Sequence, residues 1–350
     1  MDKIYLILEN GTVFEGLSAG ARKEAVGELV FTTAMTGYPE TVTDPSYFGQ
    51  IVIQTFPTIG DYGVIPEDIE GEKPYLNGYV VRELCETPSN FRCEGKFEDY
   101  LKENGIPCIV GLDTRAITKI VREEGVMNAK ISFTPDYDEK IKSYKIENAV
   151  KSVDTGVKSE IKTEGADKTV VLWNFGEKRN MSEKLAENGF NVITVPADTS
   201  AEEIKAFSPD GIVLSNGPGD PADNTEIIEE IKKLSSIPTF GICLGHQLLA
   251  LAHGGKTEKL KYGHRGASQP VLDIESGQVY ITSQNRGYTV SCAPENSEIY
   301  LKNVNDGTCE GLKYKNIPAF SVQFNPSTGK SALDFDSLIA DFKKMIKGVK

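Results

Sequence analysis

Phe240-Gly241-Ile242-Cys243-Leu244-Gly245-His246-Gln247 decides the architecture of the second half of this chain. Upstream, Ile237-Pro238-Thr239-Phe240 reads as the end of a strand, and downstream Leu248-Leu249-Ala250-Leu251-Ala252 reads as a helix. Cys243 therefore falls at the sharp turn between them. Gly-x-Cys-x-Gly places small residues on both sides, which lets a strained turn form and leaves the sulfur exposed. Peptide dipoles at the start of the helix favour the thiolate. A structural cysteine beside a tight turn is the plainer alternative, and the paired glycines with His246-Gln247 weigh against it.

Working outward, strands and helices alternate. Thr169-Val170-Val171-Leu172-Trp173 is a buried-strand run, 180–188 a helix, and Asn191-Val192-Ile193-Thr194-Val195 another strand. Ser200 and Glu203 have capping-box spacing ahead of the strand Gly211-Ile212-Val213-Leu214. Ile227, Ile228, Ile231 and Leu234 share one helical face. This pattern predicts an α/β domain over 168–350 with a mainly parallel central sheet, to which 270–273 and 278–283 add an antiparallel pair. Behind Leu214 comes Ser215-Asn216-Gly217-Pro218-Gly219-Asp220-Pro221. Its glycines let backbone approach a ligand, and its N–H groups, with that of Leu244, are suited to a developing oxyanion.

The first 150 residues read differently, as a β-rich α/β domain. Short alternating strands begin with Ile4-Tyr5-Leu6-Ile7-Leu8, turn at Asn10-Gly11 and return through Thr12-Val13-Phe14. Between the two halves, 151–167 is rich in lysine, glutamate and serine and is expected to be a linker.

Composition narrows the function. Lysine and arginine total 38 against 51 acidic residues, a net charge of −13. That balance argues against a nucleic-acid partner, which needs clustered basic surface. The six cysteines are scattered, with no pair spaced to hold zinc, and are expected to be free thiols. No apolar run approaches membrane-spanning length and Ile4–Leu8 is too short for a signal peptide, so the expected location is the cytoplasm, with no membrane partner.

The loop 216–221, the elbow 241–247 and Ser283-Gln284-Asn285-Arg286-Gly287-Tyr288 resemble class I, triad-type glutamine amidotransferases. Thr36-Gly37-Tyr38-Pro39-Glu40, Thr43-Asp44-Pro45-Ser46-Tyr47, Ser89-Asn90-Phe91-Arg92 and Gly111-Leu112-Asp113-Thr114-Arg115 look like the small subunit of carbamoyl phosphate synthetase. The resemblance implies a subunit that hydrolyses L-glutamine and passes ammonia to a large synthetase subunit, for pyrimidine and arginine synthesis. ATP and Mg are expected only in that large partner, and no cofactor or metal in this chain. Carried over by position, Cys243 is the nucleophile. Glutamine is expected to contact Ser46, Gly217, Gly219, Leu244, Gln247, Asn285, Gly287 and Tyr288.

The resemblance breaks near the C-terminus. Where the family carries a His-Pro-Glu segment holding the rest of the triad, this chain has Asn325-Pro326-Ser327, followed by Gly329-Lys330-Ser331-Ala332-Leu333. Imidazole must take the thiol proton and later protonate departing ammonia, which needs a group titrating near neutrality. An asparagine amide does neither, and Ser327 has no charge to orient an imidazolium. Losing such a member costs about 10⁴- to 10⁶-fold in rate, or roughly 5.5 to 8 kcal/mol. The chain has three histidines. His246 belongs to the elbow pattern, His253 lies more than two helical turns from Cys243, and His264 is the least constrained substitute. The sequence thus predicts absent or severely impaired hydrolysis. Its alternatives are an active glutaminase with an unconventional base, or a glutamine-binding structural or regulatory subunit of an ammonia-using synthetase.

Overall fold

The computed structural model describes residues 2–326 and 333–348. It divides the chain into a unit of residues 1–147 with 261–266, and a unit of residues 148–260 with 267–350.

In the first unit, seven strands close into a barrel. Lys3–Leu8 and Val13–Gly20 form a hairpin at the Asn10-Gly11 turn, where Gly11 adopts φ 87°. Around the ring from Val13–Gly20 come Pro107–Val110, Gly78–Val80, Gln50–Gln54, Ala25–Thr32 and Met127–Ser132, which returns to the first strand. Four adjacent strands, Pro107–Val110 to Ala25–Thr32, pair in parallel and the remaining junctions are antiparallel.

Side chains that alternate along these strands separate two cores. Leu6, Leu29, Ile51, Ile53, Val80, Ile109 and Ile131 come from strands round the ring and meet Ile117 and Val121 of the helix Thr114–Glu124. Their neighbours Val30, Val52, Tyr79 and Cys108 face the other way, onto Tyr38 and Val42 of the helix Tyr38–Thr43 and Phe97 and Leu101 of Phe97–Glu103.

The second unit is built on a ten-stranded sheet. Its centre is parallel, in the order Asn191–Val195, Thr169–Trp173, Gly211–Leu214, Thr239–Ile242 and Ala319–Val322. Beyond Ala319–Val322 it continues through Cys309–Tyr314, Ser297–Asn303, Lys256–Asp273 and Val279–Cys292. Val171, Trp173, Ile212 and Leu214 face Leu248 and Leu249 of the helix Leu244–Ala252 on one side. Val170, Leu172, Val213, Phe240 and Ile242 face Leu338, Ile339 and Phe342 of the helix Phe335–Gly348 on the other.

The stretch whose composition reads as a linker instead lays down structure. Ala149–Val153 is helical and Ser159–Ile161 is an edge strand pairing antiparallel with Asn191–Val195. Thr163 adds two hydrogen bonds to the same unit, its N–H to Asn191 Oδ1 at 3.0 Å and its hydroxyl to the Phe190 carbonyl at 2.7 Å. Backbone pairing explains how so polar a segment is ordered, since a ladder bond needs no apolar side chain.

The two elbow glycines are required by packing. A Cβ on Gly241 would lie 2.8 Å from the Gly245 carbonyl oxygen, and one on Gly245 would lie 2.4 Å from the Leu214 carbonyl oxygen. Gly245→Ala is therefore expected to lower stability by about 1–3 kcal/mol through overpacking against backbone. Urea unfolding checks this, with Gly348→Ala as the control because a Cβ there meets nothing within 4 Å.

Candidate active site

Cys243 sits between the strand Thr239–Ile242 and the helix Leu244–Ala252 with φ 52° and ψ −102°. A non-glycine residue there stores strain of about 1–3 kcal/mol and persists only when its surroundings fix it. They do so on both sides. Its N–H donates to the Val322 carbonyl at 2.9 Å, and its carbonyl accepts from Gln247 N at 3.2 Å and Gln323 Nε2 at 3.4 Å. The side chain is 4 % exposed. Its Sγ lies 4.0 Å from the Asn285 carbonyl oxygen and 3.8 Å from Gln323 Nε2.

The glycine loop closes on this turn. Gly245 N donates to the Ser215 carbonyl at 3.0 Å, and a Cβ on Gly217 would meet the Phe175 carbonyl oxygen at 2.4 Å and Leu244 Cδ2 at 2.7 Å. Only glycine lets the three segments meet there. Gly219 takes φ 87°, with Ala149 Cβ 2.6 Å from where its own Cβ would stand. Gly217, Leu244 and Cys243 thus share one neighbourhood.

The strand Val279–Cys292 brings the third predicted segment. Tyr288 accepts through its carbonyl from Gln247 Nε2 at 2.8 Å, while Gln247 Nε2 also donates to Gln323 Oε1 at 3.0 Å. Asn285 is placed by its contact with Cys243 Sγ, and Gly287 lies in the same stretch of strand. Asn325 N donates to the Ser283 carbonyl at 3.0 Å, closing an isolated bridge between this strand and the chain leaving Ala319–Val322. Ser321 reaches His246, Gln323 reaches Cys243, and Val322 and Phe324 are buried in the core. Asn325 follows three residues beyond the end of that strand, and the bridge to Ser283 fixes its backbone. Ser327 lies outside the described residues.

Ser46 belongs to the first unit. It lies in the 3-10 turn Pro45–Tyr47, where Asp44 Oδ1 accepts from its N–H at 2.9 Å. His264 belongs to that unit also and is buried. His246 is fully buried, with Nδ1 2.8 Å from Ser321 Oγ and Nε2 without a hydrogen-bond partner among the described residues. Burial, aided by the Arg286 charge, pulls its pKa down to about 3, so the ring stays neutral near pH 7. His253 ends the elbow helix, and burial lowers its pKa too.

Three features escape a linear reading. Gln323 touches the Cys243 sulfur, and only its position two residues before Asn325 hints at it. Arg286 and Glu310 form an ion pair of 2.7 Å with side chains 2 % and 0 % exposed. Gln284 Nε2 donates to Glu310 Oε2 at 3.0 Å, Asn303 Nδ2 to Oε1 at 3.1 Å, and Arg286 reaches Thr308 Oγ1 at 3.0 Å. The lone acid in the buried run Cys309-Glu310-Gly311-Leu312 was the available signal. Finally, Glu177 lies in the loop after Thr169–Trp173, with Oε2 buried and unpartnered among the described residues. Burial, with Glu183 as a lesser cause, pushes its carboxyl up to about 8.

Among the described residues no group of three or more His, Cys, Asp or Glu side chains is disposed to hold a metal ion, and no helix is long and apolar enough to cross a membrane. None of the six cysteines is in a disulfide.

Removing one member of the buried pair leaves an uncompensated charge, so Arg286→Met is expected to cost about 3–5 kcal/mol. Arg286→Met with Glu310→Leu should recover much of that loss in urea unfolding, which an exposed pair would not do. Glu177 gives a pH test. Its folded pKa lies above the unfolded value of 4.5, so the unfolded chain releases this proton first. Stability from this group is greatest below about pH 4.5 and falls as pH rises towards about 8. Thermal unfolding of Glu177→Gln should show a shallower decline over that window than the parent chain.

The family models agree with this layout. Residues 6–131 match the carbamoyl-phosphate synthase small chain, CPSase domain, and residues 171–344 match glutamine amidotransferase class-I. A carbamoyl phosphate synthase small chain of Clostridium perfringens is 49 % identical over 347 residues, covering 98 % of this chain and 99 % of that protein. One of Staphylococcus haemolyticus is 47 % identical over 361 residues, covering 100 % and 98 %, and one of Bacillus anthracis is 47 % identical over 356 residues, covering 99 % and 97 %. With a small-chain domain at one end, an amidotransferase domain at the other and such identity along its whole length, this chain belongs to the carbamoyl phosphate synthase small chain family.

Proposed function

We propose that this chain is the small subunit of a carbamoyl phosphate synthetase that binds L-glutamine but hydrolyses it severely slowly or not at all. Its large partner subunit, which would carry the ATP and Mg sites, then draws on free ammonia for the carbamoyl phosphate of pyrimidine and arginine synthesis, in the cytoplasm. The observation that carries this reading is Asn325. Its backbone is bridged to Ser283, it matches the family's base by position in the sequence, and its amide neither accepts a thiol proton nor returns one near neutral pH. Ser327, at the position of the family's glutamate, removes the charge that would steady an imidazolium. His246 offers no replacement, since it is turned to Ser321 and held neutral by burial.

The glutamine pocket does not depend on those two positions. Gly217, Gly219, Leu244, Gln247, Asn285, Gly287 and Tyr288 are assigned to it by resemblance, all on this unit. Several of these act through backbone groups, so Tyr288 in place of a more usual aromatic residue is compatible with binding.

An active glutaminase with an unconventional base is favoured by one observation. Glu177, pushed up to about 8, titrates in the range a general base needs, and it follows the Phe175 carbonyl that packs on Gly217. Alkylation by a glutamine-mimicking electrophile separates the readings. On the proposed one, Cys243 reacts slowly near neutrality and faster as pH rises, and Glu177→Gln changes nothing. Fast, pH-independent alkylation would mark a preformed thiolate.

The decisive measurement is steady-state turnover of the reconstituted complex with glutamine or ammonium as nitrogen donor. Ammonium should sustain synthesis, while glutamine-dependent turnover should lie about 10⁴-fold or more below that expected with an intact triad. Rapid glutamine hydrolysis that disappears on Cys243→Ala would sink the proposal.

A further inference from the structure

The first unit carries a cleft of about 1240 Å³ that the glutamine site does not use. Its lining includes Arg82, Arg115, Lys119 and Arg122, together with Tyr262 from the 261–266 segment of the same unit. The helix Thr114–Glu124 explains the arrangement. Ile117 and Val121 turn into the barrel core, while Arg115, Lys119 and Arg122 follow one another at steps of four and three on the exposed side. Arg82 is brought alongside by its own carbonyl, which accepts from Gly111 N at 2.9 Å just ahead of this helix.

Charge makes the cleft unusual. The chain as a whole carries −13, and many of its surface lysines have a carboxylate neighbour, as in Lys3 with Glu15 at 2.7 Å and Lys102 with Glu98 at 2.7 Å. Among the described residues Arg82, Arg115 and Arg122 form no ion pair. Two acids border them. Asp113 is committed to the helix cap, accepting from Ala116 N at 3.0 Å, and Glu123 lies 3.8 Å from Lys119. Four cations against these two carboxylates leave local positive charge on an acidic protein, a repulsive cluster that an acidic occupant would neutralise.

Size and chemistry choose the occupant. Small-molecule pockets run to about 300–1,000 Å³, and this cleft is larger. Arginine and tyrosine are the residues that anchor protein interfaces, because a planar guanidinium grips carboxylates in pairs and an aromatic ring adds area at little entropic cost. We infer that the arginine-lined cleft beside the helix Thr114–Glu124 is a docking surface for a carboxylate-rich segment of the large synthetase subunit. This rests on the small-subunit reading above.

The test measures affinity of the full chain for its purified large subunit at low and moderate salt. Arg115→Glu with Arg122→Glu should weaken binding by about tenfold or more and flatten its salt dependence. Arg115→Gln with Arg122→Gln should weaken it less, and both side chains are exposed, so thermal unfolding should match the parent. Lys347→Glu on the other unit should leave affinity unchanged. Parent affinity retained by both double variants overturns the docking assignment while leaving the small-subunit reading intact. Failure of the parent chain itself to bind the large subunit overturns both. Inorganic triphosphate bound by the parent and lost in the variants, with partner affinity unchanged, would assign the cleft to a small anion and overturn docking.

Discussion

Everything in the second unit is organised by the turn at Cys243. A backbone at φ 52° and ψ −102° is costly for a side chain with a Cβ, and the sheet absorbs that cost from both sides. Val322, in the neighbouring parallel strand, accepts the cysteine N–H, and Ser215, at the end of the other neighbour, accepts from Gly245. The turn is thereby pinned between the carboxyl ends of two strands. Those same ends launch the glycine loop and the segment carrying Gln323 and Asn325. In an open parallel sheet, the crevice beyond the strand ends is where ligands bind. The expectation of an exposed sulfur does not hold, since the surrounding loops leave Cys243 only 4 % exposed; the strained turn and those loops have a single origin.

A second layer of support is polar and buried. The strand Val279–Cys292 must present Asn285 and the Tyr288 carbonyl towards the elbow, and the Arg286–Glu310 pair beneath holds it there. Desolvating two charges is expensive, and such a pair is weak evidence for stability in itself. Its neighbours suggest what it contributes. Gln284, Asn303 and Thr308 each bond to a member of the pair, so the arrangement is satisfied in one geometry. Gln323 N donates to the Glu310 carbonyl at 2.8 Å, which links the network to the residue that touches the sulfur.

The elbow, the glycine loop and the parallel strands were legible because their signals are local: glycines at fixed offsets, short apolar runs and a capping box at Ser200. The Asn10-Gly11 hairpin was legible for the same reason. Barrel closure was not, since Ala25–Thr32 beside Gln50–Gln54 and Gly78–Val80 beside Pro107–Val110 are pairings between distant segments with no turn between them to announce them. The ordering of 149–161 was hidden for a related reason, because a polar edge strand looks like a linker until its partner is known. At the site, Cys243, Leu244 and Gln247 could be read from one stretch of chain. Gln323, Glu310 and Glu177 acquire their roles only from burial and from neighbours far away in sequence.

The physics of the site separates holding a substrate from transforming it. Among the described residues, the contacts named around Cys243 are backbone carbonyls, glycine-to-backbone packing and a buried ion pair, and none of them uses the Asn325 side chain. Proton transfer is a narrower requirement, met only by a group of suitable pKa within reach of the sulfur. A chain can therefore exchange its base for an amide without disturbing the turn, the loops or the core, since the cost falls on the transition state and not on the fold. Strain at Cys243 has a geometric support that does not depend on the base. The adjoining strands and the glycines at 241 and 245 are shaped around that turn, and relaxing it would require repacking Leu214 and Val322 on either side.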